Sequence, residues 1–123
     1  MIPVRSILAA TDLTPTGGPV LRTAARLAQA FQAPLHVLYV GPEGTEAEQK
    51  EHETQLSDQV RRCLEMGDGT AIPAVETAVV YDQPYHGILV HAATVEADLI
   101  VVGAHRGHAM GARLRGTTAE HIV

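Results

Sequence analysis

The sequence predicts an α/β fold built on an open, doubly wound parallel sheet. Short apolar runs alternate with longer amphipathic segments, and the joins between them are rich in glycine, proline and threonine. This alternation is typical of parallel strands joined by right-handed helical crossovers, with helices on both faces of the sheet. The length of 123 residues suits one folding unit, so we expect residues 1–123 to form a single domain.

The first half of the chain predicts two strands with a helix between them. The apolar run at 7–10 predicts a strand buried on both faces, which ends at Thr11 and Asp12. Turn residues follow, and apolar side chains then recur at helical spacing over 20–31. A second apolar run at 33–40 contains valine and tyrosine, and it predicts the next strand.

The second half repeats the alternation. A charged helix is predicted over 46–66, a strand over 73–81, and a helix opening at Pro84, where proline suits the first turn. The most continuous apolar run, 97–103, predicts the fourth strand. A last helix is expected to begin near Thr117, and the terminal fifth strand of such a sheet is expected to be absent from this chain.

Composition excludes several classes of protein. The formal net charge of −5 argues against general nucleic-acid binding, which needs a basic face. Cys63 is the only cysteine, so the chain holds no internal disulfide and a reducing compartment is the simpler expectation. No apolar run reaches the roughly 18 residues that a membrane span requires, and no signal peptide is recognisable. We therefore expect a cytoplasmic protein that has no membrane partner.

The strand ends predict a ligand site. In an open parallel sheet, ligands bind beyond the carboxyl ends of the strands, where the strand order reverses. Asp12, at the end of the first predicted strand, can accept a hydrogen bond from a ribose hydroxyl or an adenine amine, or hold Mg²⁺ through water. The alternative is that the acidic side chain only caps the turn into the first helix. The candidate residues at the strand ends are Ala10, Thr11, Asp12, Val40, Val102 and Gly103.

The stretch "VVGAHRGHAMGARLRGTT" after the fourth strand predicts an anion-binding loop. Glycines let backbone N–H groups approach an anion closely, and the N-terminus of the following helix favours negative charge. Arginines can reach phosphate oxygens from outside, and threonine hydroxyls add donors. The alternative is a flexible, solvated connector. The candidate phosphate-binding residues are His105, Arg106, Gly107, Gly116, Thr117 and Thr118.

Other chemistries find little support. No G-x-G-x-x-G follows the first strand, and Thr117 stands where a P-loop would have lysine. No serine or cysteine nucleophile is arranged with a base, so no catalytic residue is predicted. His105, His108 and His121 lack the cysteine or carboxylate partners of a metal site, and no metal ligand is predicted.

The segments "ILAATDLTPTG", "HVLYV", "VVYDQP" and "ADLIVVGAHR" together resemble the universal stress protein family along essentially the whole chain. Nucleotide-binding members of that family carry Gly-x2-Gly-x9-Gly-Ser/Thr after the fourth strand. Here Gly103 and Gly116-Thr117 fill that frame, Arg106 replaces the second glycine, and Gly107 lies one place later. The resemblance implies an adenine nucleotide alpha hydrolase-like, Rossmann-like fold.

The resemblance also implies a function and a ligand. The adenine pocket would lie at Asp12, Val40 and Gly103, with phosphates near Gly116 and Thr117. The implied protein binds ATP or a related adenine nucleotide, alone or with Mg²⁺. It would form homodimers, often through the fifth strand, and would act in the stress response by nucleotide- and dimer-dependent signalling, with at most slow ATP hydrolysis.

Two alternatives remain open. One is a dimeric interaction module of the same fold that binds no nucleotide, and the replacement at Arg106 favours it. The other is a metabolic enzyme that uses Asp12 as an acid or base, which no paired group supports.

Overall fold

A four-stranded parallel sheet organises the protein, and the computed structural model describes residues 4–14, 17–65 and 72–103. Strands and helices alternate as predicted, with bounds within a few residues of those expected from the sequence. In chain order the elements are β1 (Ile7–Thr11), α1 (Gly17–Phe31), β2 (Leu35–Gly41), α2 (Glu46–Glu65), β3 (Val75–Tyr81), α3 (Pro84–Thr94) and β4 (Leu99–Val102). The predicted last helix and the predicted lack of a fifth strand fall outside the described residues.

The strand order is β3-β2-β1-β4, and every pairing is parallel. The chain therefore runs from β1 outwards to β3, and then crosses back to place β4 on the other side of β1. This return confirms the doubly wound α/β fold. Strand β1 is central, because it pairs with β2 over Ile7–Thr11 and with β4 over Ile7–Ala10.

One face of the sheet packs against α1 and α2. Ile7 and Ala9 of β1 are fully buried on this face. Ala24 and Ala28 of α1 are 0% exposed and belong to the same cluster, as does Leu56 of α2. Because alanine is small, α1 can pack close to the strands, which suits a chain with few aromatic side chains to fill its core.

The other face packs against α3. Leu8 of β1, Leu38 of β2 and Ile100 of β4 form a cluster with Ala92 of α3. Alternate residues of β1 therefore enter two separate clusters, which confirms the prediction that this strand is buried on both faces.

Hydrogen bonds join the two residues before β1 to the turn between α3 and β4. Asp98 Oδ2 accepts the backbone N–H of Arg5 at 2.7 Å and that of Ser6 at 3.2 Å. The N–H of Asp98 in turn donates to the carbonyl of Ser6 at 2.8 Å, and Ser6 Oγ donates to the carbonyl of Val95 at 3.1 Å. Residues 97 and 98 therefore belong to this turn, and β4 begins at Leu99, two residues later than the apolar run predicts.

His91 lies in the last turn of α3, where its surroundings disfavour the protonated imidazole. Burial lowers the pKa of His91, and Coulombic repulsion with His36 lowers it further. The unfolded chain then takes up a proton at His91 at a higher pH than the folded chain does. The free energy of unfolding should therefore fall as the pH drops through the unfolded value of about 6.5.

We predict that His91→Gln removes part of this acid sensitivity. The melting temperature of the unaltered protein should fall more than that of the variant between about pH 7.5 and about pH 5.5, because only the former gains a proton at residue 91 on unfolding. Circular-dichroism melts across this range measure the difference. Parallel pH curves for the two proteins would show that His91 titrates alike in both states.

Candidate functional site

The strand order places the candidate site at the carboxyl ends of β1 and β4. The chain continues from β1 to β2 on one side, whereas β4 lies on the other side of β1, so the strand order reverses between β1 and β4. Ligands bind at such a reversal in sheets of this type. Ala10 pairs with Val102, the last residue of β4, and Gly103 follows it. The structure therefore brings together the backbones of five predicted site residues: Ala10, Thr11, Asp12, Val102 and Gly103.

Asp12 is exposed directly after β1, and its carboxylate folds the chain that follows. Its Oδ1 accepts the backbone N–H of Thr14 at 2.9 Å and the Thr14 hydroxyl at 2.6 Å. This is the turn-forming role that the sequence left as one alternative. It is compatible with a ligand role, which stays a prediction for this residue.

Thr11 is buried and makes its side-chain contacts inside the protein. Its hydroxyl donates to Gln59 Oε1 at 2.8 Å, and its Oγ1 accepts the N–H of Leu13 at 3.4 Å. Leu13 itself has a φ of 66°, in the left-handed region that a leucine rarely adopts. The Thr11 side chain therefore contacts α2, and only its backbone borders the predicted crevice.

Val40 and Gly103 occupy positions where two elements approach closely. Val40 is half-buried beside α3, and a Cβ added to Gly87 of that helix would lie 2.8 Å from Val40 Cγ1. A Cβ added to Gly103 would lie 2.9 Å from Cγ2 of Val20 in α1. Gly103 thus lets the end of β4 pass α1 at close range, which is a packing reason for a glycine at this point.

The phosphate-binding half of the predicted site lies outside the described residues. The residues concerned are His105, Arg106, Gly107, Gly116, Thr117 and Thr118, and their role stays a prediction from the sequence.

Three residues that the sequence did not single out belong to the described half. Gln59 Nε2 donates to the carbonyl of Thr14 at 2.9 Å, and the N–H of Gly17 donates to the same carbonyl at 2.9 Å. Thr14 follows Asp12 by two residues, the spacing of an Asx turn, so a sequence signal for it existed. Gln59 has no such signal, because its role depends on how α2 packs beside β1.

A second polar group lies where β3 ends. The pKa of Asp82 is lowered by its hydrogen bond with His86, whose Nδ1 is 2.5 Å from Asp82 Oδ2, and by the backbone N–H of Gln83. Two strands separate β3 from β4, so this pair stands apart from the crevice.

In residues 4–14, 17–65 and 72–103, no group of three or more histidine, cysteine or acidic side chains could hold a metal ion. No helix within these ranges is long and apolar enough to cross a membrane.

Solved structures share this fold over nearly the whole chain. Universal stress protein UspA from Lactobacillus plantarum is 26% identical with a TM-score of 0.66, covering 90% of this chain and 86% of its own. The universal stress protein from Archaeoglobus fulgidus in complex with dAMP is 25% identical with a TM-score of 0.70, covering 97% and 94%. A universal stress protein in complex with cAMP is 16% identical with a TM-score of 0.73, covering 98% and 91%.

A comparison with curated protein sequences gives no match. The family model described as the universal stress protein family matches residues 3–123. This range includes all four described strands and the glycine-rich segment after β4. The chain belongs to the universal stress protein family.

Proposed function

We propose that this protein binds an adenine nucleotide at the carboxyl edge of the sheet, between β1 and β4. The observation that carries the proposal is the position of Asp12 and Gly103 at the reversal of strand order, where nucleotides bind in doubly wound sheets. Relatives of the same fold have been solved with dAMP and with cAMP, which supports an adenine ligand.

We propose ATP, alone or with Mg²⁺, as the ligand. The support comes from the sequence after β4, where Gly116 and Thr117 stand at the start of a predicted helix and Arg106 adds positive charge. Unpaired N–H groups at such a helix start attract phosphate. Asp12 is the residue proposed to contact the ribose, the adenine or a hydrated Mg²⁺.

The proposed role is signalling in the stress response. Nucleotide occupancy would alter contacts within a cytoplasmic homodimer or with another protein. The sequence offers no base positioned to activate water, so any ATP hydrolysis would be slow.

A second candidate is a dimeric interaction module that binds no nucleotide. It is favoured by Arg106, whose side chain stands where the family's nucleotide-binding pattern has a second glycine. A side chain at that position would block backbone approach to the phosphates.

A thermal-shift series with ATP, ADP and AMP, each with and without Mg²⁺, tests the proposal. A ligand that binds only the folded state at ten times its dissociation constant adds about 1.4 kcal/mol to the free energy of unfolding. The melting temperature should then rise by roughly 5 °C for a chain of this size. Gly116→Val is the control variant, and it should melt at the same temperature with or without ATP. No shift with any of the three nucleotides would leave the interaction module as the better account.

A further inference from the structure

We infer that Gln59 of α2 is a positioning residue for the loop that follows β1, and that it couples α2 to occupancy of the nucleotide site. The inference rests on the proposed function for its ligand. We call residues 12–14 the Asp12 loop.

The primary amide of Gln59 uses both of its polar atoms on this part of the chain. Its Oε1 accepts the hydroxyl of Thr11 at 2.8 Å, and its Nε2 donates to the carbonyl of Thr14 at 2.9 Å. One side chain therefore connects the residue before the Asp12 loop with the residue that ends it. Both bonds cross 45 or more positions of sequence, so they fix the loop relative to a separate helix.

The Asp12 loop has a backbone that needs such support. Leu13 has a φ of 66°, a conformation that costs a residue with a Cβ on the order of 1 kcal/mol and persists where surrounding contacts hold it. Gln59 supplies contacts on both sides of Leu13. The Thr14 carbonyl also accepts the N–H of Gly17 at 2.9 Å, which connects the loop to the start of α1.

The carboxylate of Asp12 is oriented by the same residues. Thr14 donates both its N–H and its hydroxyl to Asp12 Oδ1, and Gln59 holds Thr14 through its carbonyl. A chain of hydrogen bonds thus leads from α2 to the carboxylate proposed to contact the nucleotide. A ligand that holds Asp12 in place would stabilise the Gln59 contacts. Because such coupling is reciprocal, loss of these contacts would lower the affinity for the ligand by the same factor.

Gln59 is separable from the apolar packing of its helix. Leu56, Val60 and Cys63 are the buried core residues of α2, whereas Gln59 is half-buried. Gln59→Leu removes both hydrogen bonds at similar side-chain volume and leaves those core contacts in place. Gln55→Leu, at an exposed position one turn earlier, is the matched control.

The experiment measures the loop and the ligand separately. Amide hydrogen exchange at Thr14 and Gly17 should accelerate about tenfold in Gln59→Leu, and the dissociation constant for AMP should rise by a similar factor, since two hydrogen bonds are lost. Both quantities should be unchanged in Gln55→Leu.

In Gln59→Glu, the ionised carboxylate cannot donate to the carbonyl of Thr14. The Thr14 and Gly17 amide shifts should therefore return towards the unaltered values as the pH falls through the titration of that carboxyl. They should not return in Gln59→Leu.

The outcomes distinguish this inference from the proposed function. Unchanged exchange at Thr14 and Gly17 in Gln59→Leu would overturn the positioning role whether or not AMP binds. Faster exchange with unchanged AMP affinity would overturn the coupling and leave the proposed function standing. If the unaltered protein binds neither AMP nor ATP, the proposed function fails and so does the coupling, while the exchange data still decide the positioning role.

Discussion

Gly17→Ala is expected to lower the free energy of unfolding by about 1–3 kcal/mol, because the new methyl group has no space. An added Cβ would overlap Thr11 Oγ1, and would lie 3.2 Å from Gln59 Nε2 and 3.3 Å from Asp12 Oδ1. Thr11 is only 8% exposed and is bonded to Gln59, so it cannot turn away without breaking that bond. The first turn of α1 must therefore shift and carry the Asp12 loop with it.

The neighbouring glycine provides a matched control. Apart from its chain neighbours, the group nearest to a Cβ on Gly18 would be the flexible guanidinium of Arg22, at 3.2 Å. Gly18→Ala should therefore lower the free energy of unfolding by less than Gly17→Ala does, because its only new strain is that of a Cβ on a helical residue before Pro19, which the helix preference of alanine partly offsets. Urea unfolding followed by circular dichroism gives both values. Equal effects at the two positions would mean that α1 does not begin against Thr11.

The sequence was sufficient to predict the fold because its signals are local. Each strand of this parallel sheet is an apolar run buried between layers, and each join carries glycine, proline or an acidic residue. The order of elements then restricts the topology, since parallel crossovers are right-handed. The convergence of Asp12 and Gly103 follows from that topology, and their strands are neighbours in the structure.

The contacts around Asp12 could not be predicted in the same way. Gln59 lies 48 residues from Thr11, on a helix whose residues are mostly polar, and no neighbouring residue in the sequence distinguishes it from Gln55. Its role arises only when α2 packs beside β1. The positive φ of Leu13 is equally hidden, because such a conformation is usually signalled by glycine or asparagine. Tertiary packing, which sequence periodicity does not encode, decides both.

Leu38→Ala is expected to cost about 2–5 kcal/mol of unfolding free energy, towards the upper end of that range. Leu38 is 0% exposed and packs on the α3 face of the sheet. Its cross-strand partners are Ala10 and Ala78, and Ala92 of α3 belongs to the same cluster. Alanine has no side chain beyond Cβ, so these neighbours cannot move atoms into the space that leucine vacates.

The control is the same leucine-to-alanine substitution at the exposed Leu89, which isolates the effect of burial from the effect of changing the residue type. Leu89 lies on α3 and is 47% exposed, so Leu89→Ala should change the free energy of unfolding by less than about 1 kcal/mol. In thermal melts, Leu38→Ala should lower the melting temperature by roughly 8–20 °C, against a few degrees for the control. This difference measures how completely α3 covers the sheet. Equal melting temperatures for the two variants would mean that Leu38 is not buried beneath α3. The end of β2, where Val40 lies, would then not be packed against that helix.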